Sequence, residues 1–136
     1  MPERYTHKNL RQVADSAPDL EAAEWQESRF ATRDLQSTDI GVTHHRYRPG
    51  KRQGFAHRHQ RAEEFYVVLS GSGQVKLDGD ILELEPLDAF RVAPEVLRTW
   101  EAGPDGLEVL AFGARVEGDG ELVPSDAEIV PGWWKD

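Results

Sequence analysis

Short segments of apolar and polar residues recur along most of the chain. QVKL at 74–77 alternates polar and apolar positions, which is typical of a strand with one face in a core. Similar segments predict strands at 28–35, 40–48, 63–69, 80–85, 89–92, 97–101 and 107–115. Many short strands between regular turn signals predict an all-β fold, a sandwich or a barrel.

Turn-forming residues separate these predicted strands. The Asp-Gly pair at 78–79 is a strong signal for a two-residue hairpin turn. Pro-Gly at 49–50, Pro94 and the GPDG segment at 103–106 also predict turns. Gly-Ser-Gly at 71–73 is predicted to end the strand that begins at residue 63.

Two of the predicted strands carry apolar residues on both faces. If Glu64 points into a barrel, Tyr66 and Val68 do so too, because alternate side chains of a strand share a face. The apolar residues at positions 65, 67 and 69 then face outward, and residues 108–114 repeat the pattern. Such a stripe needs a cover, which the N-terminal segment, the C-terminal tail or a second subunit could provide. We expect a homodimer.

The chain has the length and composition of one domain. Its 136 residues suffice for a single core, and 38% hydrophobic with 30% charged residues indicates a globular chain with a polar surface. We expect a short N-terminal extension at 1–27, partly helical or irregular, a β-barrel at 28–116 and a C-terminal tail at 117–136.

Composition also argues against several classes of function. A net charge of −9 argues against a general nucleic-acid-binding protein, which would carry a basic patch. No apolar run approaches the ~20 residues that a membrane-spanning helix needs. The start of the chain carries no secretory signal, and the absence of cysteine excludes disulfides. We therefore expect a cytoplasmic protein.

One segment of this acidic chain is strongly basic. Residues 44–61 contain six arginines and lysines and four histidines, but no acid. The segment could attract a small anionic molecule to the mouth of the barrel. A solvated strand face that repels edge-to-edge pairing explains the same charges equally well.

A candidate metal site lies in the segment HRHQRAEE at 57–64. In a strand His57 and His59 share a face, so both rings can bind one ion. Glu64, on a neighbouring or bent strand, could supply a third ligand. Imidazole ligands favour Zn, Fe, Mn, Ni or Cu over Ca or Mg. His44 and His45 face opposite ways on their own strand, so at most one of them can join the pocket, and we expect both at the surface.

The spacing of these residues matches a known motif. His57, His59, Glu64 and Gly71 stand in the order His-x-His-x4-Glu-x6-Gly, which resembles the first signature motif of the cupin superfamily. The resemblance covers roughly residues 38–113 and implies a single-domain antiparallel β-barrel, or jelly roll. In many cupins the two histidines and the glutamate bind a divalent metal. The resemblance therefore implies that Fe, Mn, Zn or Ni binds to this chain.

The second cupin motif is altered in this chain. Aligning residues 86–94 with it puts Arg98 where the family has a histidine as fourth metal ligand, and no histidine follows His59. Arg98 would bring a permanent cation with five donors to the pocket, and Trp100 shares its strand face. We predict that Arg98, Tyr66 and Trp100 bind the ligand.

Two functions fit these predictions. In the first, the protein is a metal-dependent cupin enzyme that acts on a small anionic organic molecule by oxygenase- or isomerase-type chemistry, with Arg98 gripping a substrate carboxylate. In the second, it is a non-catalytic cupin that binds a small molecule without metal. Cupins include both classes, so the choice stays open, although an open metal face favours the enzyme.

Overall fold

The computed structural model describes residues 2–115 and 126–134. In this part of the chain two short 3-10 helices, Leu10–Gln12 and Pro18–Leu20, precede eight strands. The strands are β1 (Gln26–Phe30), β2 (Ile40–Tyr47), β3 (Phe55–His59), β4 (Glu64–Leu77), β5 (Asp80–Leu84), β6 (Ala89–Val92), β7 (Arg98–Ala114) and β8 (Ala127–Pro131). The predicted all-β fold is confirmed. No helix among the described residues has the length and apolar character needed to cross a membrane.

The strands form one antiparallel sheet that curls into a half-barrel. β1, β2, β7, β3 and β8 are neighbours in that order, while β4 pairs with β5, β6 and β7. β7 and β4 are the longest strands and pair along most of their length. Because β7 contacts β2, β3 and β4, it sets the relative positions of the strands that carry the candidate site.

The turns predicted at 71–73 and 103–106 are wrong, because β4 and β7 continue through them. The pairing of the two strands shifts register twice around Gly71, as at a β-bulge. Gly71 and Gly106 have φ values of +83° and +82°, and a Cβ on Gly71 would lie 2.1 Å from the carbonyl oxygen of Gly106. These glycines let two long strands bend and approach each other instead of ending.

Other local predictions divide between confirmed and wrong. The hairpin at 78–79 is confirmed, with Leu77 paired to Asp80. The strand predicted at 28–35 is wrong in its second half, because β1 ends at Phe30 and residues 32–36 form turns. The backbone N–H of Leu35 donates to the carbonyl of Ala31 at 2.9 Å, which closes the chain locally.

The sheet extends beyond the expected barrel limits of 28–116. β1 begins at Gln26, and β8, which lies in the expected tail, pairs with β3 over five residue pairs. Ala17 of the N-terminal extension is fully buried. In the tail, Trp134 Nε1 donates to the carbonyl oxygen of Trp100 at 3.2 Å. Described residues of both the N-terminal extension and the expected tail therefore pack against the sheet that holds the candidate site.

The interior of the half-barrel is built around aromatic rings. Tyr66 and Val68 are buried, as the strand alternation predicted. Trp100 packs edge-on against Tyr66 with ring centroids 5.0 Å apart, and Tyr47 stacks on Trp100 at 5.4 Å. Each such pair contributes about 0.5–1.5 kcal/mol beyond the area it buries. These rings therefore form a firm wall beside the candidate site.

The outer face of β4 carries the predicted apolar stripe. Phe65 and Leu69 are each 41% exposed, and Phe65 stacks on Phe112 of β7 at 5.9 Å. Val67 pairs with Leu110 in the same register. These five residues form one surface, here called the outer patch. Exposed apolar patches of this kind are typical of interfaces, but the homodimer stays a prediction.

We expect the protein to sediment as a dimer at micromolar concentration through the outer patch. Val67→Glu should dissociate or destabilise it, because the new carboxylate would be buried without a partner. Ile81→Glu is the matched control, since Ile81 is an exposed apolar residue of β5 outside the patch. Analytical ultracentrifugation of the three proteins measures the effect. A monomeric wild type, or equal effects of the two substitutions, would contradict the prediction.

Candidate metal centre

Two histidines and one glutamate come together where β3 leads into β4. His57 and His59 occupy alternate positions of β3, so their rings share a face. The connection after His59 brings Glu64, the first residue of β4, back to these rings. One ligand atom of each residue lies within 4.8 Å of the other two. Two imidazoles and a carboxylate at this spacing are chemically suited to a divalent transition metal.

One oxygen of Glu64 is surrounded by donors. Its Oε1 accepts hydrogen bonds from the Tyr66 hydroxyl at 2.7 Å and from Arg98 Nη1 at 2.8 Å. His59 Nε2 lies 3.1 Å and His57 Nε2 3.5 Å from the same atom. Among the described residues Oε2 has no hydrogen-bond partner. Tyr66 and Arg98 thus fix the carboxylate through one oxygen and leave the other for a ligand.

Electrostatics keep this carboxylate charged and one ring neutral. Burial raises the pKa of Glu64, but hydrogen bonds and charges from His57 and His59 outweigh it and hold that pKa well below its usual value. Burial also lowers the pKa of His57, and the contact with Glu64 opposes that shift only in part. A carboxylate anion and a neutral imidazole are the forms that bind metal.

A second carboxylate, Asp126, orients His59 from the side away from Glu64. Asp126 Oδ1 lies 3.1 Å from His59 Nδ1, and Oδ2 accepts the backbone N–H groups of Arg61 and Ala62 at 3.2 and 3.0 Å. Burial raises the pKa of Asp126, but these hydrogen bonds bring it below its usual value. An ionised carboxylate only accepts, so His59 Nδ1 donates to it. Nε2 of the neutral ring then keeps its lone pair for a metal.

His59 holds a proton more firmly than His57. Burial lowers the pKa of His59, but hydrogen bonds and charges from Glu64 and Asp126 raise it above its usual value. A metal can bind His59 Nε2 only in the neutral ring, so binding at this centre releases that proton.

Asp126 was not predicted as a site residue, because residues 117–136 were expected to form a C-terminal tail. Asp126 directly precedes β8, and the pairing of β8 with β3 carries it to His59. The sequence signal for strand β8 is weak, because the segment AEIVP contains only two neighbouring β-branched residues, Ile129 and Val130. Long-range pairing of so short a strand is not visible in local sequence.

We expect Asp126→Asn to weaken metal binding about 10- to 100-fold, because an amide orients the His59 ring less well and lowers its basicity. Glu128→Gln is the control, since Glu128 pairs with Arg58 on the exposed side of β8. Calorimetric titration of both variants with one metal gives the affinities. Equal affinities for the two variants would exclude Asp126 from the centre.

Arg98 lies beside the candidate ligands, but its donors have other partners. The register pairs Arg98 of β7 with His57 of β3, which is consistent with the fourth-ligand position that the cupin resemblance implied. Its side chain is fully buried. Nη1 donates to Glu64 Oε1, while Nε and Nη2 donate to carbonyl groups of residues 93–96. Contact between Arg98 and a ligand stays a prediction; the observed contacts make Arg98 the counter-charge of Glu64.

A cavity of about 110 Å³ opens beside the two histidines. Its wall is mainly aromatic and aliphatic, and among the described residues no lysine or arginine lines it. The lining residues are Leu20, Gln26, Ser28, Phe30, His45, Tyr47, Gln53, Phe55, His57, His59, Tyr66, Trp100, Ala127 and Ile129. Tyr66 and Trp100 both line this cavity, and their contact with a ligand stays a prediction.

The basic segment at 44–61 does not supply cations to this cavity wall. Arg52 contacts Glu101 at 2.6 Å and Arg58 contacts Glu128 at 2.9 Å, both on the outside of the sheet. Within the described structure the cavity wall therefore offers an anion no lysine or arginine. Attraction of an anion by this segment stays a prediction.

The expectation that His44 and His45 both lie at the surface is wrong. His44 is buried on the outer side of the sheet, where its Nε2 lies 2.9 Å from Glu108 Oε2. His45 lines the cavity, and burial lowers its pKa to about 4. The sequence contained a signal for the position of His45, because His45 and Tyr47 are alternate residues of one strand and share a face. The structure buries Tyr47 on that face.

Comparison with known families identifies the chain. A family model described as a cupin domain matches residues 43–112, slightly more than half of the sequence. The chain belongs to the cupin family. Its fold is similar to that of a cupin protein from Bacteroides fragilis, with 25% sequence identity, coverage of 85% of this chain and 87% of that chain, and a TM-score of 0.68.

Two enzymes share the fold of this cupin at lower identity. A putative sugar phosphate isomerase from Acidithiobacillus ferrooxidans is 22% identical, over 68% of this chain and 60% of its own, with a TM-score of 0.60. A salicylate 1,2-dioxygenase variant from Pseudoaminobacter salicylatoxidans is 21% identical, over 71% of this chain and 29% of its own, with a TM-score of 0.58. At this identity the likeness concerns the fold alone. No functionally curated protein matches the sequence of this cupin.

Proposed function

We propose that this cupin is a metal-dependent enzyme acting on a small organic acid with a largely apolar body. The observation that carries the proposal is the convergence of His57, His59 and Glu64, whose ligand atoms lie within 4.8 Å of one another beside a cavity. Fe, Mn, Zn or Ni suits this donor set. The reaction class that we favour is oxygenation or isomerisation.

The cavity supports the proposed size and polarity of the substrate. At about 110 Å³ it is smaller than the ~150 Å³ engineered cavity that holds benzene, so it encloses a short-chain acid fully and a single small ring only in part. Tyr66 and Trp100 supply apolar ring surfaces that contact such a body and exclude water. A multiply charged sugar phosphate would need cationic partners, and no described lysine or arginine lines the cavity.

The roles of the protein groups follow from their contacts. When bound, the metal would supply Lewis-acid or redox chemistry to the oxygen atoms of the substrate. Tyr66 and Arg98 hold Glu64 through Oε1, and Asp126 fixes the ring of His59. These contacts orient the ligand groups before substrate arrives, and preorganisation of this kind is what positions reacting atoms.

A second candidate function rests on Arg98. Its guanidinium already neutralises Glu64 at 2.8 Å and is fully buried, so the barrel has a charge-balanced interior without metal. This arrangement favours a non-catalytic cupin that binds a small molecule in the aromatic cavity. Such a module would bind its ligand equally well after treatment with a chelator.

Turnover by metal-loaded protein distinguishes the two functions. Protein purified without a polyhistidine tag is loaded with each candidate metal and incubated with a panel of small aliphatic and aromatic acids, with and without O2. Mass spectrometry then follows the products. We expect conversion that requires metal, is lost in His57→Ala and persists in Arg58→Ala, whose side chain points outward to Glu128. Metal-independent binding without conversion of any acid would favour the binding module.

A further inference from the structure

His45 is a polar group of the cavity that the metal centre does not use. It lies on β2 and lines the same cavity as His57 and His59. Its ring stacks on Tyr47 with centroids 5.8 Å apart and meets Phe30 edge-on at 6.3 Å. These contacts restrict rotation of the imidazole and fix the direction in which its nitrogens point.

A chain of buried side chains sets the tautomer of this ring. Gln53 Nε2 donates to Gln26 Oε1 at 2.8 Å, and Gln26 Nε2 donates to Ser28 Oγ at 2.7 Å. Ser28 Oγ lies 2.8 Å from His45 Nδ1. Ser28 is fully buried, and among the described residues its hydroxyl hydrogen has no acceptor other than Nδ1, because Gln26 is itself a donor to Ser28; Nδ1 is therefore the acceptor. The proton of the neutral ring is therefore on Nε2.

Nε2 of His45 has no hydrogen-bond partner among the residues that the structure describes. An N–H donor without an acceptor in a mainly apolar cavity is a specific place for a ligand oxygen. A cavity of about 110 Å³ holds one small molecule. A ligand that reaches the metal centre with one end can therefore present a second oxygen to His45.

We propose that His45 is a substrate-binding residue whose Nε2–H donates a hydrogen bond to a second oxygen of the substrate, away from the metal-binding end. Ser28 is a positioning residue that keeps the proton on Nε2. The proposal rests on the proposed function and narrows it: the substrate is a small acid that also carries a hydroxyl or carbonyl oxygen. A neutral donor favours such an oxygen over a second full charge.

Matched probes test this role. Cobalt-loaded protein is titrated with benzoate, 3-hydroxybenzoate and 4-hydroxybenzoate, and the cobalt absorption spectrum gives each affinity. We expect the wild type to bind at least one hydroxybenzoate roughly 3- to 10-fold more tightly than benzoate, the range of one neutral hydrogen bond. His45→Phe should abolish this preference, measured as the ratio of the hydroxybenzoate and benzoate affinities, while the cobalt content stays unchanged. His45→Gln should restore part of it, because an amide also donates.

The outcomes separate His45 from the metal centre. If the wild type binds cobalt and benzoate without a hydroxyl preference, or if His45→Phe retains the preference, the role of His45 is overturned while the centre stands. If the wild type binds neither cobalt nor benzoate, the proposed function fails and the role of His45 fails with it.

Nitrogen NMR of the metal-free protein gives an independent check of the His45 tautomer. A proton on Nδ1 of His45, or a preference unchanged in Ser28→Ala, would overturn the positioning role of Ser28.

Discussion

Replacing Arg98 with methionine is expected to lower the free energy of unfolding of the metal-free protein by about 3–5 kcal/mol, the usual effect of breaking a buried ion pair. Arg98 is fully buried and donates to Glu64 Oε1 at 2.8 Å. Without it Glu64 has only the two histidines to balance its largely buried charge, and carbonyl groups of residues 93–96 lose their donors. Urea unfolding measures the change.

The same substitution is expected to tighten metal binding by at least about tenfold, because it removes a cation that repels a divalent ion at the same carboxylate. Arg98→His should tighten binding further, since an imidazole at this position lies opposite His57 in the strand register. Added metal should then recover part of the lost stability by mass action.

Arg91→Met is the matched control for both effects. Arg91 contacts Glu63 at 3.1 Å, and both side chains are more than half exposed. Exposed pairs of this kind contribute about 0–1 kcal/mol. If Arg98→Met behaved like Arg91→Met in both stability and metal affinity, Arg98 would have no role at the centre.

The second large expected effect is that His45 lowers the free energy of unfolding in acid. Burial lowers the pKa of His45 from 6.5 to about 4 in the folded protein. Between these pH values the unfolded chain binds a proton that the native protein does not, so the free energy of unfolding falls as pH falls. The loss is on the order of 1.4 kcal/mol per pH unit, or on the order of 3 kcal/mol in total.

His45→Phe isolates this contribution, because Glu64, His57 and His59 titrate in both proteins. Urea unfolding of the two metal-free proteins at pH 7 and pH 4 gives four free energies. We expect the wild type to lose on the order of 3 kcal/mol more than the variant between the two pH values. Equal losses would show that His45 is protonated in the folded protein near its ordinary pKa.

The sequence predicted the parts of the site that depend on local spacing. His57, His59 and Glu64 lie close together along the chain, so strand alternation and one short connection were enough to bring them together. Tyr66 was predicted to point inward with Glu64 for the same reason. The hairpin at 78–79 was likewise a local signal, and it is confirmed.

The parts that depend on long-range pairing could not be predicted. Asp126 reaches His59 only because β8 pairs with β3, and Ser28 reaches His45 Nδ1 only because β1 pairs with β2. The bends at Gly71 and Gly106 were interpreted as turns because a glycine at a bulge and one at a turn look alike in sequence. Whether the chain forms a bulge or a turn at such a glycine depends on the strand that pairs with it.

Metal content tests the central claim most directly. Protein purified without a polyhistidine tag, loaded with one candidate metal and freed of excess, is analysed for metal by mass spectrometry beside Glu64→Gln and Glu63→Gln. Glu63 is the matched control, with a side chain 52% exposed in contact with Arg91. We predict close to one metal per chain in the wild type and in Glu63→Gln, and almost none in Glu64→Gln. Equal metal content in all three proteins would contradict the proposed centre.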